Sequence, residues 1–247
     1  MNTQTELAPA TETMVKYSLT VIVPAYNEET SLEKIVRETC EVVNASTEEF
    51  EILIVNDGST DGTGEVAERL AVEIEEVQVA HHRLNQGSGM AIRTGIEQAT
   101  CELVMYVPAD NQFNLKEIGA FMEASSDADI VLGVRLERSD YSWFRLLSSW
   151  TFIRLTNFLF EFNYRDVNWV HLWRRKIFEE IRPRSKGVFL LEEILVLTAR
   201  NGFNVVEIDS EYQPRIAGKP KGCTIRSILV AIYEILRLWF DLKRLKT

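Results

Sequence analysis

Short runs of apolar and β-branched residues recur along the first half of the chain, at 19–23, 51–55, 77–80, 103–107 and 129–133. Between them lie longer stretches in which apolar positions return every three or four residues, at 28–43, 61–74, 87–99 and 114–124, with Ser, Thr, Asp or Gly near their starts. The first pattern predicts strands and the second predicts helices. Regular alternation of the two predicts a mainly parallel α/β sheet with helices on both faces, whose ligand site lies outside the carboxyl ends of the strands. After residue 135 the alternation is expected to stop.

Two apolar segments follow. Residues 143–162 are crowded with aromatic and aliphatic side chains, but Arg145, Arg154 and Glu161 leave no uncharged run of the ~20 residues a bilayer span requires. A buried or an interfacial helix remains. Residues 224–240 form a second apolar helix, with Arg226, Glu234, Arg237 and Asp241 near one face, packed on its own domain, on a partner or on a membrane surface. The chain is therefore divided into a loose polar tail at 1–16, a folded domain at 17–222 and an amphipathic helix at 223–247. The tail lacks the apolar core of a signal peptide.

Composition sharpens this picture in two places. The 247 residues have 46% hydrophobic content and a formal net charge of -10, which excludes a disordered chain and allows a substantial core. Charge is unevenly placed: residues 1–134 carry 7 Lys+Arg against 24 Asp+Glu, leaving 20 against 13 in the remainder. A basic second half suits an anionic partner such as a phosphate or a membrane surface, while the acidic total argues against nucleic acid. Cys40, Cys101 and Cys223 are odd in number and far apart, so neither a disulfide framework nor a zinc site is expected, and a reducing compartment is. His81, His82 and His171 have no metal-ligand spacing and read as structural or exposed.

The loops after the predicted strands carry the chemistry. They read Pro24-Ala25-Tyr26-Asn27-Glu28, Val55-Asn56-Asp57-Gly58-Ser59, Asn85-Gln86-Gly87-Ser88-Gly89-Met90-Ala91 and Pro108-Ala109-Asp110-Asn111-Gln112. The glycine loop has Ile92 where a dinucleotide fingerprint has its third glycine, which disfavours a dehydrogenase.

In order and spacing these four loops resemble the inverting glycosyltransferases of family 2, which have the Rossmann-like GT-A fold. Gly133-Val134-Arg135 and Arg215-Ile216-Ala217-Gly218-Lys219-Pro220-Lys221 are similar to motifs of the branch that acts on polyprenyl phosphates, typified by dolichyl-phosphate mannosyltransferase. The resemblance implies a nucleotide diphosphate-sugar donor, GDP-mannose or a UDP-hexose, held by Pro24, Ala25, Tyr26, Asn27, Glu28, Val55, Asp57, Gly87, Gly89 and Ala91. It implies Mg²⁺ or Mn²⁺ at Asp110 and Gln112, although Pro108 replaces the first Asp of the usual Asp-x-Asp-x-Gln. It also implies a dolichyl or undecaprenyl phosphate acceptor, with Asp110, Arg135, Arg215 and Lys221 as catalytic residues. Asp166 and Glu193 stand where the branch has acidic residues. A phosphate monoester is largely ionised at neutral pH and needs no carboxylate base. The expected location is peripheral, on the cytoplasmic face of a membrane; a homo-oligomer is compatible. Two alternatives stay open: a family 2 enzyme acting on a saccharide hydroxyl, and an inactive nucleotide-sugar-binding subunit.

Overall fold

The computed structural model describes residues 16–138, 141–187, 189–213 and 225–244, with side chains in the last segment from residue 228. Five strands match the predicted runs: β1 (Leu19–Ala25), β2 (Phe50–Asn56), β3 (Val77–His81), β4 (Leu103–Tyr106) and β5 (Ile130–Arg135). Helices α1 (Leu32–Ser46), α2 (Thr63–Glu73), α3 (Ser88–Gln98) and α4 (Ile118–Ala124) alternate with them. Helix α1 starts four residues later than its apolar pattern suggests, because Asn27 has a left-handed φ of 53° and the Glu28 N–H is taken by Thr63 Oγ1 at 2.9 Å.

The alternation does not stop at residue 135. Beyond α5 (Trp143–Phe160) the chain adds β6 (His171–Arg174), the single-turn α6 (Ile177–Glu180), α7 (Leu190–Arg200) and β7 (Val205–Ser210), before α8 (Ile225–Arg244). These elements hide from pattern reading for physical reasons. Strand β6 has four residues, three of them His, Trp and Arg, and α7 buries Glu192 and Glu193 where a charged residue signals solvent.

The seven strands run in the order β3-β2-β1-β4-β6-β5-β7. Strand β6 is antiparallel to both neighbours, and the other pairings are parallel. The chain steps outward from β1 to β3 and then returns to β4 on the opposite side of β1, so the carboxyl ends of β1 and β4 flank a switch point where a crevice must open. The core on either side of the central strands is aliphatic, with Val21, Ile22, Val23, Ile52, Ile54 and Leu103 fully buried.

Pro24 lies inside β1 without breaking the sheet. Val107 donates to the Ile22 carbonyl at 2.8 Å and Asp57 to the Ala25 carbonyl at 2.8 Å, so alternate residues of β1 address β4 and β2. Pro24 is in the register that addresses β4, which has already ended at Tyr106, and its missing N–H costs no ladder bond.

Helix α5 is not a buried helix. Thr156 is its one buried residue, while Trp143, Trp150 and Phe158 are 75%, 57% and 82% exposed. Helix α8 packs against α5. It buries Ala231 and Ile235 and leaves Leu229, Tyr233 and Phe240 exposed. Among the described residues no helix is long and apolar enough to cross a membrane.

Candidate active site

A cavity of about 530 Å³ opens at the carboxyl ends of β1, β2 and β4. Of the expected site residues, Pro24, Ala25, Tyr26, Glu28, Asp57, Gly87, Gly89, Ala91 and Asp110 line it. Four segments distant in sequence therefore meet in one place.

Asp57, 2% exposed, is the tie between two of them. Its Oδ1 accepts from the Gln86 N–H at 2.9 Å and contacts His82 Nδ1 at 2.6 Å, and its Oδ2 accepts from the Gly87 N–H at 2.8 Å. The carboxylate thus shapes the glycine loop as well as facing the cavity. Gly58 permits this close passage: it has φ of 68°, and a Cβ there would sit 2.4 Å from the Leu84 carbonyl carbon. Asn27 performs a similar service nearby, accepting from the Thr60 N–H at 2.8 Å and donating its own N–H to Ser59 Oγ at 3.0 Å. It joins the β1 and β2 loops without lining the cavity, and Val55 is buried within β2, opposite Pro24.

Asp110 follows β4 and lines the cavity, and its Oδ1 accepts from the Gln112 N–H at 3.3 Å. The Gln112 side chain does not join it there. Gln112 is 5% exposed; its side-chain amide N–H donates to the Tyr212 hydroxyl, and its backbone carbonyl accepts from the Gln213 N–H at 2.9 Å. Of the expected pair of cation ligands, Asp110 is the one that lines the cavity. Among the described lining residues there are three acids, Glu28, Asp57 and Asp110, and no Lys or Arg. A diphosphate brought into such a lining needs positive charge. A hard divalent cation commonly keeps one or two protein carboxylates and takes its other ligands from phosphate and water, so this donor set fits Mg²⁺ or Mn²⁺ at Asp110.

Arg135 is placed differently from its expected role on an acceptor phosphate. Its guanidinium is forked on Asp166 at 2.7 and 2.9 Å, donates to the Tyr141 hydroxyl at 2.6 Å and to the Asn168 carbonyl at 2.9 Å, and lies 5.0 Å from the Trp169 ring centre. Four of its five donors are spent inside the protein. Burial works against both charges, but the pairing outweighs it, holding the Asp166 carboxyl below its ordinary pKa and Arg135 above its own. Arg138 adds a second contact to Asp166 at 2.9 Å. This cluster positions the 166–169 segment, from which Asn168 reaches the cavity lining. Glu193 acts similarly on the next segment, accepting from the Arg184 and Ser185 N–H groups at 2.9 and 2.6 Å. Arg215 and Lys221 lie outside the described residues.

Sequence reasoning missed Tyr106, Asn168, Gly187, Leu190 and Leu191 in the lining. Tyr106, at the end of β4, was within reach of the strand-end rule; the others come from the segment in which pattern reading saw no elements. Tyr106 donates its hydroxyl to the Trp169 carbonyl at 2.6 Å, and burial pushes its pKa up. Below the site, burial drives His171 down to about 3, and it pushes Glu192 well above the carboxylate range. His171 is therefore neutral at physiological pH.

Comparison with known proteins agrees with this geometry. The chain is 29% identical over 252 residues to the glycosyltransferase AglD of Haloferax volcanii, covering 98% of this chain but spanning only 40% of that relative's length. It is 29% identical to the polyprenol monophosphomannose synthase of Mycolicibacterium smegmatis, over 92% of this chain and 89% of the relative. With the dolichyl-phosphate β-glucosyltransferase ALG5A of Trichomonas vaginalis it shares 30% identity, over 90% and 75% of the two chains. Among solved structures, the glucosyl-3-phosphoglycerate synthase of Mycobacterium tuberculosis, in complex with Mn²⁺, UDP and phosphoglyceric acid, has the same fold. Its TM-score is 0.68 at 14% identity, covering 89% of this chain and 78% of that one. The model of glycosyl transferase family 2 matches residues 20–184, from β1 to just beyond α6, and the chain belongs to that family of glycosyltransferases.

Proposed function

We propose that this protein transfers a hexose from a nucleotide diphosphate-sugar to a polyprenyl phosphate, with inversion at the anomeric carbon. The supporting observation is the convergence of the four polar loops on one cavity whose described lining is acidic. The donor, GDP-mannose or a UDP-hexose, binds among Pro24, Tyr26, Glu28, Asp57 and the glycine loop. Asp110 holds Mg²⁺ or Mn²⁺ against the diphosphate. When bound, the ion neutralises charge that builds on the leaving group.

The acceptor phosphate is already an oxyanion. One of its oxygens attacks the anomeric carbon from the face opposite the diphosphate; that bond forms as the bond to the diphosphate oxygen breaks, and nucleoside diphosphate leaves. No proton has to be removed from the nucleophile. Arg215 and Lys221 offset the repulsion between the two anions. They follow Gln213, which is hydrogen-bonded to Gln112 beside the Asp110 loop. Arg135 serves the reaction by holding Asn168 in place.

The lipid chain of the acceptor gives a role to the exposed faces of α5 and α8. Contiguous exposed aromatic and aliphatic residues on a soluble surface mark an interaction site, and this face rests on the membrane surface, at its cytoplasmic side. The relatives that carry polyprenol or dolichyl phosphate in their names support the lipid acceptor. The test is release of nucleoside diphosphate from GDP-mannose, UDP-glucose and UDP-N-acetylglucosamine, each with Mg²⁺ or Mn²⁺ and a polyprenyl phosphate. At least one donor is expected to turn over in a lipid-dependent manner; rates equal to a heat-killed control across the panel would reject the reading.

A further inference from the structure

His82, which the reaction scheme leaves unused, forms a buried pair with Asp57 beside the cavity. Their side chains are 8% and 3% exposed. His82 Nδ1 meets Asp57 Oδ1 at 2.6 Å, and His82 Nε2 meets Thr94 Oγ1, on α3, at 2.9 Å. The His82 backbone is also fixed, donating its N–H to the Asn56 carbonyl at 2.9 Å. Its neighbour His81 faces the other way, contacting Asn56 at 3.0 Å and Glu68 on α2 at 2.7 Å. The two imidazoles therefore fasten the exit of β3 to the exit of β2 and to a helix on each side.

We infer that His82 is a positioning residue for nucleotide recognition, acting through Asp57; this rests on the nucleotide-sugar reading of the cavity. A carboxylate offers about four acceptor directions. Oδ1 is occupied by His82 and the Gln86 N–H, whereas Oδ2 accepts, among the described residues, from the Gly87 N–H alone. By fixing Oδ1, the imidazole sets the plane of the carboxylate and leaves the remaining capacity on Oδ2 for a donor group of the ligand. The same bond fixes the loop from Gln86 to Gly87, because both amides hang on that carboxylate. With Nδ1 turned to Asp57, Nε2 is left to the Thr94 hydroxyl, and one orientation of the ring serves both partners.

Two substitutions separate the two ring nitrogens. The amide nitrogen of Asn ends near the position of Nδ1, and that of Gln near Nε2. His82→Asn keeps a donor for Asp57 and gives up Thr94; His82→Gln does the reverse. Titration calorimetry with UDP and with GDP, in Mg²⁺ or Mn²⁺, is expected to show the Asn variant within about threefold of wild type. The Gln variant is expected to be weakened at least about tenfold, as for loss of a charge-assisted hydrogen bond. In the ligand-free proteins, amide hydrogen exchange across residues 83–89 rises in the Gln variant and not in the Asn variant. Equal effects of the two substitutions, or wild-type affinity in His82→Gln, would overturn the assignment. Where His82→Gln does not fold, Thr94→Val serves: it leaves the Asp57 contact intact and must bind within about threefold of wild type, and a tenfold loss would count against the inference. A wild-type protein that binds no nucleoside diphosphate would instead overturn the reading of the cavity, and this inference with it.

Discussion

Substituting Gly89 by Ala tests how the cavity is held to size. Gly89 is the second residue of α3, and a Cβ built on it would stand 2.1 Å from the Gly187 carbonyl oxygen, 2.8 Å from the Gly187 carbonyl carbon and 2.8 Å from the Lys186 carbonyl oxygen. All three neighbours are backbone, so no side chain can rotate away. Restoring an ordinary contact requires the 186–187 segment and the start of α3 to part by roughly 1 Å. Overpacking of this kind costs about 1–3 kcal/mol. Taking about 2 kcal/mol, a chain of this length loses roughly 4–8 °C in melting temperature. Gly89 and Gly187 both line the cavity, so the same separation widens it and weakens nucleotide binding. The companion variant is Gly119→Ala in α4, where a Cβ would meet only Ser46 Oγ at 3.5 Å; it is expected to be neutral or stabilising by up to about 1 kcal/mol. Thermal melts and calorimetry with UDP and GDP compare the two. If Gly89→Ala melts and binds like Gly119→Ala, the close approach does not hold the cavity to size and the reasoning is wrong.

Four further outcomes are expected. Asp110→Ala abolishes transfer while leaving the melting temperature within a few degrees of wild type, since the side chain lines a cavity; wild-type turnover would remove Asp110 from the chemistry. Asp166→Ala leaves Arg135 buried without its partner and is expected to cost about 3–5 kcal/mol in urea unfolding, a loss below 1 kcal/mol being incompatible with the buried fork. His171 is held down to about 3 from an ordinary 6.5, so the unfolded chain binds the extra proton first as pH falls, and this group's contribution to stability is lost progressively from about 6.5 towards 3. By linkage the loss reaches about 2 kcal/mol at pH 5; His171→Leu should flatten the wild-type pH dependence by that amount, and parallel curves would contradict it. Trp150→Glu with Phe158→Glu on α5 should reduce sedimentation with phospholipid vesicles while sparing nucleotide affinity; unchanged sedimentation would detach α5 from the membrane.

The strands and the loops that follow them were legible for the same reason. In a parallel sheet buried on both faces the strands are short apolar runs, and the polar residues at their ends stand out against them, as Asn56-Asp57 does after Ile52, Leu53 and Ile54. What could not be read was direction and occupancy. Gln112 looks like a ligand in sequence, and nothing there shows that its amide N–H is committed to Tyr212. Arg135 looks like a phosphate clamp, yet its fork closes on Asp166, thirty-one residues away. Spacing reveals which groups are available, but not which of them the protein has already used on itself. Strand β6 was missed because its burial is imposed by insertion between two other strands, not by its own composition.

That insertion bears on the order in which the molecule can assemble during synthesis. Strand β5 pairs with β6 and β7 and with no earlier strand. When the first 135 residues have emerged, β4 is therefore the open edge of a four-stranded sheet, with Leu103, Val104 and Met105 fully buried only in the finished protein. An apolar edge left unpaired is a template for association with other chains. The emerging chain remains in that state until His171–Arg174 arrives to seal it, which requires α5, with its own exposed aromatics, to be made first. A fragment ending near residue 138 is expected to aggregate where one extending through β7 folds.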